Sequence, residues 1–413
     1  MLVSEIEFLT RRFQSYYEKN TVSGPPGVSF REFGTGDFGK KIARRHLSFA
    51  NSEQFNSFLR HQVPFFVSYS SAYYRFPANR PMDAKEWLHS DIVYEFDSDD
   101  LKTDCKQEHD SWQCKSCGTG GAGFVSACAN CGSSAIAVSQ WVCPECLRAA
   151  KKELLRLLFV LEHDFGFHSD FAFNFSGSKG FHIHLRGEEV QNLSPKARIE
   201  LLDFITGTNL DFESIGFVSK TGSLASVPLA QARGWNKKIL LGVRDLILQS
   251  DAEALSVAGS VSTGMAQKVF AEREHVLESL SRGTFPLTLG KKSNGFWRSI
   301  LDFVSDQNRL AVDRQTSLDK FKIIRVPNTI HGETGLLARS FAREALESFD
   351  PLNESVVFSD KPVSVLVKKS PKFFLSNQWF GPFESVETDL PEYAALFLLA
   401  RGAATLPENG AHK

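Results

Sequence analysis

The sequence predicts a mixed α/β protein with a zinc-binding insertion and a mainly helical subdomain. Three observations lead there. Residues 171–176 and 181–185 alternate apolar and polar side chains with the period of a strand. Residues 147–164, and much of 195–300, repeat apolar residues at helical spacing. All seven cysteines fall between Cys105 and Cys146, which marks a separate small module.

The elements follow in order. Residues 4–19 read as a helix with Ile6, Phe8, Leu9, Phe13 and Tyr16/Tyr17 along one side, ended by Gly24-Pro25-Pro26-Gly27. A second helix over 50–60 opens at Asn51 or Ser52. Strand-like runs cover 64–69 and 91–97. The cysteine region occupies 102–146, and the next helix carries the stripe Leu154, Leu155, Leu158 and Leu161. The strand–turn–strand unit turns at Gly177-Ser178-Lys179-Gly180. After Pro351 two short strands (355–358 and 363–367) and a helix near 391–400 are expected, with a frayed tail from Gly402.

The bulk numbers narrow the function. The chain has 413 residues, 42% hydrophobic and 23% charged, a soluble globular balance with room for two or three cores. Its 36 phenylalanines read as core filling. A net charge of −1 offers no global attraction for nucleic acid, so any such ligand must lie in a local basic groove or be held by a partner. There is no signal segment and no apolar run of about 18 residues, so an intracellular, soluble protein without membrane contact is expected.

Four groups of residues carry chemistry. On a strand over 91–97, Glu95, Asp97 and Asp99 fall on one side, and carboxylates so crowded suit a hard cation such as Mg²⁺ or Mn²⁺. An exposed acidic edge strand would look the same. Ser176-Gly-Ser-Lys179-Gly-Phe-His182 could cradle phosphates through turn N–H groups, Lys179 and His182, or could be a plain hairpin. The segment 313–335 offers a third carboxylate, Asp313, with Arg325 and His331 as triphosphate ligands; a solvated charged loop is the bland reading. Finally, Cys114-x-x-Cys117 and Cys128-x-x-Cys131 have the spacing of one Cys₄ zinc ribbon. Cys143-x-x-Cys146 needs two more ligands, and Cys105 and His109 lie just outside the ribbon. Two closed, structural Zn²⁺ sites follow, one nested inside the loop of the other.

Taken in order, these motifs resemble the small, catalytic subunit of the archaeal and eukaryotic DNA primase, over most of residues 28–345. The resemblance starts at Arg31-Glu32-Phe33-Gly34 and an arginine before Phe49, and runs through Ser68-Tyr-Ser-Ser-Ala-Tyr-Tyr74, Met82 and Trp87. It continues through the acidic strand, a zinc knuckle, Asp164-Phe-Gly-Phe167, the S-G-x-x-G-x-H turn and the 313–331 segment. Ile330-His-Gly-Glu-Thr-Gly335 is closer to the archaeal form. The family's strand reads F-D-I-D; counting back from Leu101 and Cys105 sets that pair on Glu95 and Asp97, with Asp97 and Asp99 as the other register. Asp313 then matches the third metal carboxylate. Arg325, His331, Ser176, Lys179 and His182 match triphosphate contacts, and Glu32 with Arg45 (or Arg44) a further nucleotide-contacting pair. The Cys114–Cys131 ribbon resembles an addition to the usual single-zinc pattern.

The resemblance implies an archaeo-eukaryotic primase core, its sheet carrying the carboxylates. Residues 1–101, 148–190 and 309–345 would build that core, 102–147 the zinc insertion, 191–308 the helical subdomain and 346–413 the C-terminal segment and tail. The implied activity is template-directed synthesis of short RNA (or DNA) primers from nucleoside triphosphates by two-metal nucleotidyl transfer in DNA replication. The implied partners are single-stranded DNA template and a large primase subunit bearing an iron–sulfur cluster, in the cytoplasm of an archaeal-type cell beside the nucleoid. The rivals are a stand-alone primase-polymerase or repair polymerase of the same superfamily, and a non-catalytic zinc-ribbon scaffold. The cysteine pairing is directly testable: elemental analysis should find two zincs per chain and one in Cys117→Ser, and a single zinc in the wild type would refute the pairing.

Overall fold

In the computed structural model, residues 3–168, 170–220 and 223–407 are described. The end of the expected tail, from 408, lies outside them. Two compact units emerge: Met1–Leu158 with Phe167–Arg198 and Ala311–Lys413, and Phe159–Gly166 with Ile199–Leu310.

The first unit is built on two four-stranded antiparallel sheets. One, here the basic sheet, runs in the order Ile323–Arg325, Phe66–Ser70, Phe33–Asp37, Lys40–Leu47. The other, the acidic sheet, runs Ser340–Phe341, Phe171–Phe175, Gly180–Leu185, Ile92–Asp97. Strand alternation divides the acidic sheet into a polar and an apolar face. Tyr94, Phe96, Phe173, Phe175, Phe181 and Ile183 are buried on the apolar side. Phe181 meets the rings of Phe175, Phe341 and Phe349 there, so the phenylalanine excess does fill a core. The mixed α/β expectation holds.

Helices form where the periodicity asked for them. Val3–Lys19 buries Leu9, Phe13 and Tyr17. Ser52–Gln62 is capped by Asn51, whose side chain accepts from the Gln54 N–H. Pro144–His163 buries Leu154, Leu157, Leu158 and Leu161, while Leu155 stays half-buried at the edge of the stripe.

Two C-terminal expectations fail. Residues 355–358 are not a strand: the Ser355 and Val356 N–H groups bond back to Pro351 and Asn353, ending the short helix Pro351–Glu354. The partner of Pro362–Ser370 is Phe383–Pro391, whose mostly exposed face hid the strand pattern. Ala404–Thr405, within the stretch expected to fray, pairs with the same strand. Glu392–Ala400 is helical and buried throughout.

In the second unit, helices Gly234–Gln249 and Ser293–Asn308 enclose a core of Trp235, Ile239, Val243, Trp297 and Ile300. Among the described residues no helix is long and apolar enough to cross a membrane.

Candidate active site

The polar face of the acidic sheet is set by register. Glu95 lies opposite His182, which lies opposite Asn174, and Asp97 lies opposite Gly180. Both glycines of the turn make room for other residues. A side chain on Gly180 would collide with the Asp97 carboxylate and the Phe96 carbonyl. One on Gly177, which has φ 84°, would come within 2.8 Å of His331 Cβ.

Charge on this face is unevenly balanced. Glu95 sits 3.3 Å from Lys322 Nζ and 3.6 Å from His182 Nε2. Among the described residues no cation lies as close to Asp97. Burial first, then the charges of Glu95, Asp99 and Asp100, push its carboxyl up to about 6, against the opposing pull of Lys179. Asp99 does not continue the row: the strand ends at Asp97, and Ser98–Asp100 turns away as a 3₁₀ segment. Asp99 instead forms an ion pair with Lys179, whose Nζ also donates to Gln140 Oε1 at 2.8 Å.

Asp313 is exposed and stands just before the short helix Arg314–Leu318, which packs against the acidic strand. Burial and the Asp313 charge raise the pKa of Asp100. The structure therefore brings Asp313 to the same neighbourhood but does not gather the three carboxylates. Among the described residues, only the two cysteine sets bring three or more ligand atoms within 4.8 Å of one another. A hard divalent cation would suit carboxylates drawn together here.

The expected phosphate ligands divide into available and occupied groups. Arg325 lies over the Phe66 ring at 4.9 Å; its Nη1 is buried without a hydrogen-bond partner, and burial lowers its pKa to about 10. His331 packs edge-on against Phe66, accepts from the Glu333 N–H at Nδ1, and is kept neutral by burial. Ser176 behaves otherwise than expected. Its Oγ accepts from the N–H groups of Ser178, Lys179 and Gly180 at 3.1–3.3 Å, so the donors expected to cradle phosphate converge on the hydroxyl. Glu32 is fully buried and accepts from Arg45 Nε at 2.9 Å, with Lys85 Nζ at 3.6 Å; the partly exposed Arg45 is the member that reaches solvent. Lys322 and Asn174 join the site without having been singled out, beside His184 on the strand of His182 and Tyr69 of the basic sheet. Alternation along 171–176 would have found Asn174, whereas the approach of Lys322 to Glu95 has no local signal.

The cysteines pair as expected. Cys105, His109, Cys143 and Cys146 form one cluster and Cys114, Cys117, Cys128 and Cys131 the other. Their Sγ–Sγ separations include 3.5 and 3.8 Å in the first, and 3.6 Å twice in the second. Zn–S bonds of about 2.3 Å place tetrahedral sulfurs about 3.8 Å apart, so both sets fit zinc. His109 Nδ1 bonds Asp110 Oδ1 at 2.8 Å, which turns Nε2 toward Cys146 at 3.2 Å.

Comparison with known proteins agrees. A family model described as DNA primase small subunit matches residues 138–342. "DNA primase small subunit PriS" of Methanothrix thermoacetophila is 31% identical, the match covering 96% of this chain and 98% of that protein. The proteins of the same name from Nitrosopumilus maritimus (27%; 98% and 99%) and Natronomonas pharaonis (28%; 97% and 98%) match as extensively. The Gly180 contact yields a test on the chain itself. Gly180→Ala should retain its zinc while its Mn²⁺ affinity, measured by electron paramagnetic resonance, falls at least about tenfold through displacement of Asp97. Unchanged affinity would show that the contact does not matter.

Proposed function

The chain belongs to the DNA primase small subunit family, and from that membership and the site geometry we propose that it is the catalytic subunit of a DNA primase. It joins nucleoside triphosphates on a single-stranded DNA template into short RNA (or DNA) primers. The observation that carries this reading is the cross-strand register that sets Glu95 and Asp97 beside His182 and the Gly177–Gly180 turn.

Glu95, Asp97 and Asp313 would hold the catalytic Mg²⁺ or Mn²⁺. Their oxygens are the right donors, and the raised pKa of Asp97 marks a site where a cation would be welcome. When bound, such ions activate the attacking 3′-hydroxyl and offset charge on the leaving pyrophosphate. The chain's own groups do the rest. Lys179 and Arg325 supply fixed positive charge to the triphosphate, and the neutral rings of His182 and His331 donate to it. Arg45, held by the buried Glu32, contacts the incoming nucleotide from the basic sheet. Ser176 acts by shaping the turn that carries Lys179.

Zn²⁺ fills both cysteine sets and serves folding, contributing roughly 10–16 kcal/mol in small zinc modules. The net charge of −1 fits a subunit that leaves much of the template grip to a large primase subunit. The chain would work in the cytoplasm, at the nucleoid of an archaeal-type cell. Primer synthesis on single-stranded template with Mg²⁺ or Mn²⁺ tests this. Asp97→Ala and Asp313→Ala should each lose at least about a hundredfold in rate. If both synthesise at the wild-type rate, the metal-site reading fails.

A further inference from the structure

Hydrogen bonds on the polar face of the acidic sheet have a direction, and one amide sets it. Asn174 Nδ2 lies 3.0 Å from the Phe175 carbonyl oxygen and 3.3 Å from His182 Nδ1, while Oδ1 lies 2.9 Å from His184 Nε2. A carbonyl oxygen only accepts, so the end of the amide facing Phe175 has to be the NH₂ group. The remaining assignments then follow. The two Nδ2 hydrogens go to Phe175 and to His182 Nδ1, which therefore carries no proton; the hydrogen of the His182 ring is on Nε2. Oδ1 accepts, so His184 donates from Nε2 and accepts at Nδ1 from the Tyr69 hydroxyl at 3.3 Å. Arg186 donates to that hydroxyl oxygen at 3.4 Å. Tyr69, Asn174, His182 and His184 are all buried. A reversed tautomer would set donor against donor in this buried cluster and leave polar groups unpaired.

The far end of this chain of bonds is His182 Nε2, 3.6 Å from Glu95 Oε1. We propose that Asn174, backed by His184 and Tyr69, is a positioning residue that locks His182 in the Nε2–H tautomer, so that a neutral ring presents one fixed donor to Glu95 and to the triphosphate beside it. The part concerning the triphosphate rests on the function proposed above; the tautomer does not. Asn174 is thereby assigned a role in nucleotide affinity without touching the nucleotide.

The test uses the full, zinc-loaded chain with ¹⁵N-labelled histidine. Long-range ¹H–¹⁵N spectra, with His182 assigned by its loss in His182→Gln, should show the Nε2–H tautomer at both His182 and His184. An Nδ1–H tautomer at His182 in the wild type overturns the proposal with no variant needed. Asn174→Asp has the same shape but, once ionised, can only accept, so at a pH where it is ionised it should move the His182 proton to Nδ1. It should also raise the KM for nucleoside triphosphate about tenfold, with kcat within about threefold. Asn174→Asp with the wild-type tautomer and KM likewise overturns it. If the tautomer moves and KM does not, the lock stands and the assignment of His182 as a triphosphate ligand is what fails.

Discussion

Carboxylates crowded at one end of a strand repel one another, and in this chain the surrounding parts are arranged to contain that repulsion. Glu95 and Asp97 share a face because they lie two apart on one strand, with Asp99 and Asp100 directly after it. Lys322 reaches Glu95 from the end of a strand in the other sheet. Lys179 draws Asp99 out of the row. Asp97 is left partly buried among like charges, and burial together with those charges raises its pKa to about 6, favouring the protonated form. In the metal-free chain, folding favours that protonated form. The contribution of Asp97 to stability is thus greatest below about pH 3.8 and is lost as the pH rises through about 6.

The cysteine-rich segment lies next to the turn that carries Lys179. Asp110 holds His109 and accepts from the Trp141 N–H. Arg401 stacks over Trp141 at 4.3 Å. Gln140, next to Trp141 and just after the module's last strand Ile136–Ser139, provides the acceptor that shares Lys179 with Asp99. The cluster of Cys105, His109, Cys143 and Cys146 is thus tied, through Asp110 and Trp141, to the backbone that presents Gln140 to Lys179.

Much of this was legible in the sequence wherever the cause was local. Two-residue alternation put Glu95 and Asp97 on one face, and C-x-x-C knuckles, which close over a few residues, allowed the nested pairing to be read directly. Alternation misled at Asp99, because the strand gives way to a turn one residue earlier. The Gly-rich turn misled in another way, because the Ser176 hydroxyl, able to accept three N–H groups, took the donors assigned to phosphate. Contacts between distant segments left no trace: Lys322 and Glu95 are 227 residues apart. Asn174 lies between these cases, since its face follows from alternation but its partner follows only from cross-strand register.

The most direct measurement is Mn²⁺ affinity of the zinc-loaded chain as a function of pH, read by electron paramagnetic resonance. If Asp97 is a ligand that must first lose a proton, affinity should rise about tenfold per pH unit up to about pH 6 and level off above it, and Asp97→Asn should bind weakly without that slope. Affinity independent of pH across this range, or Asp97→Asn binding as tightly as the wild type, would contradict the account.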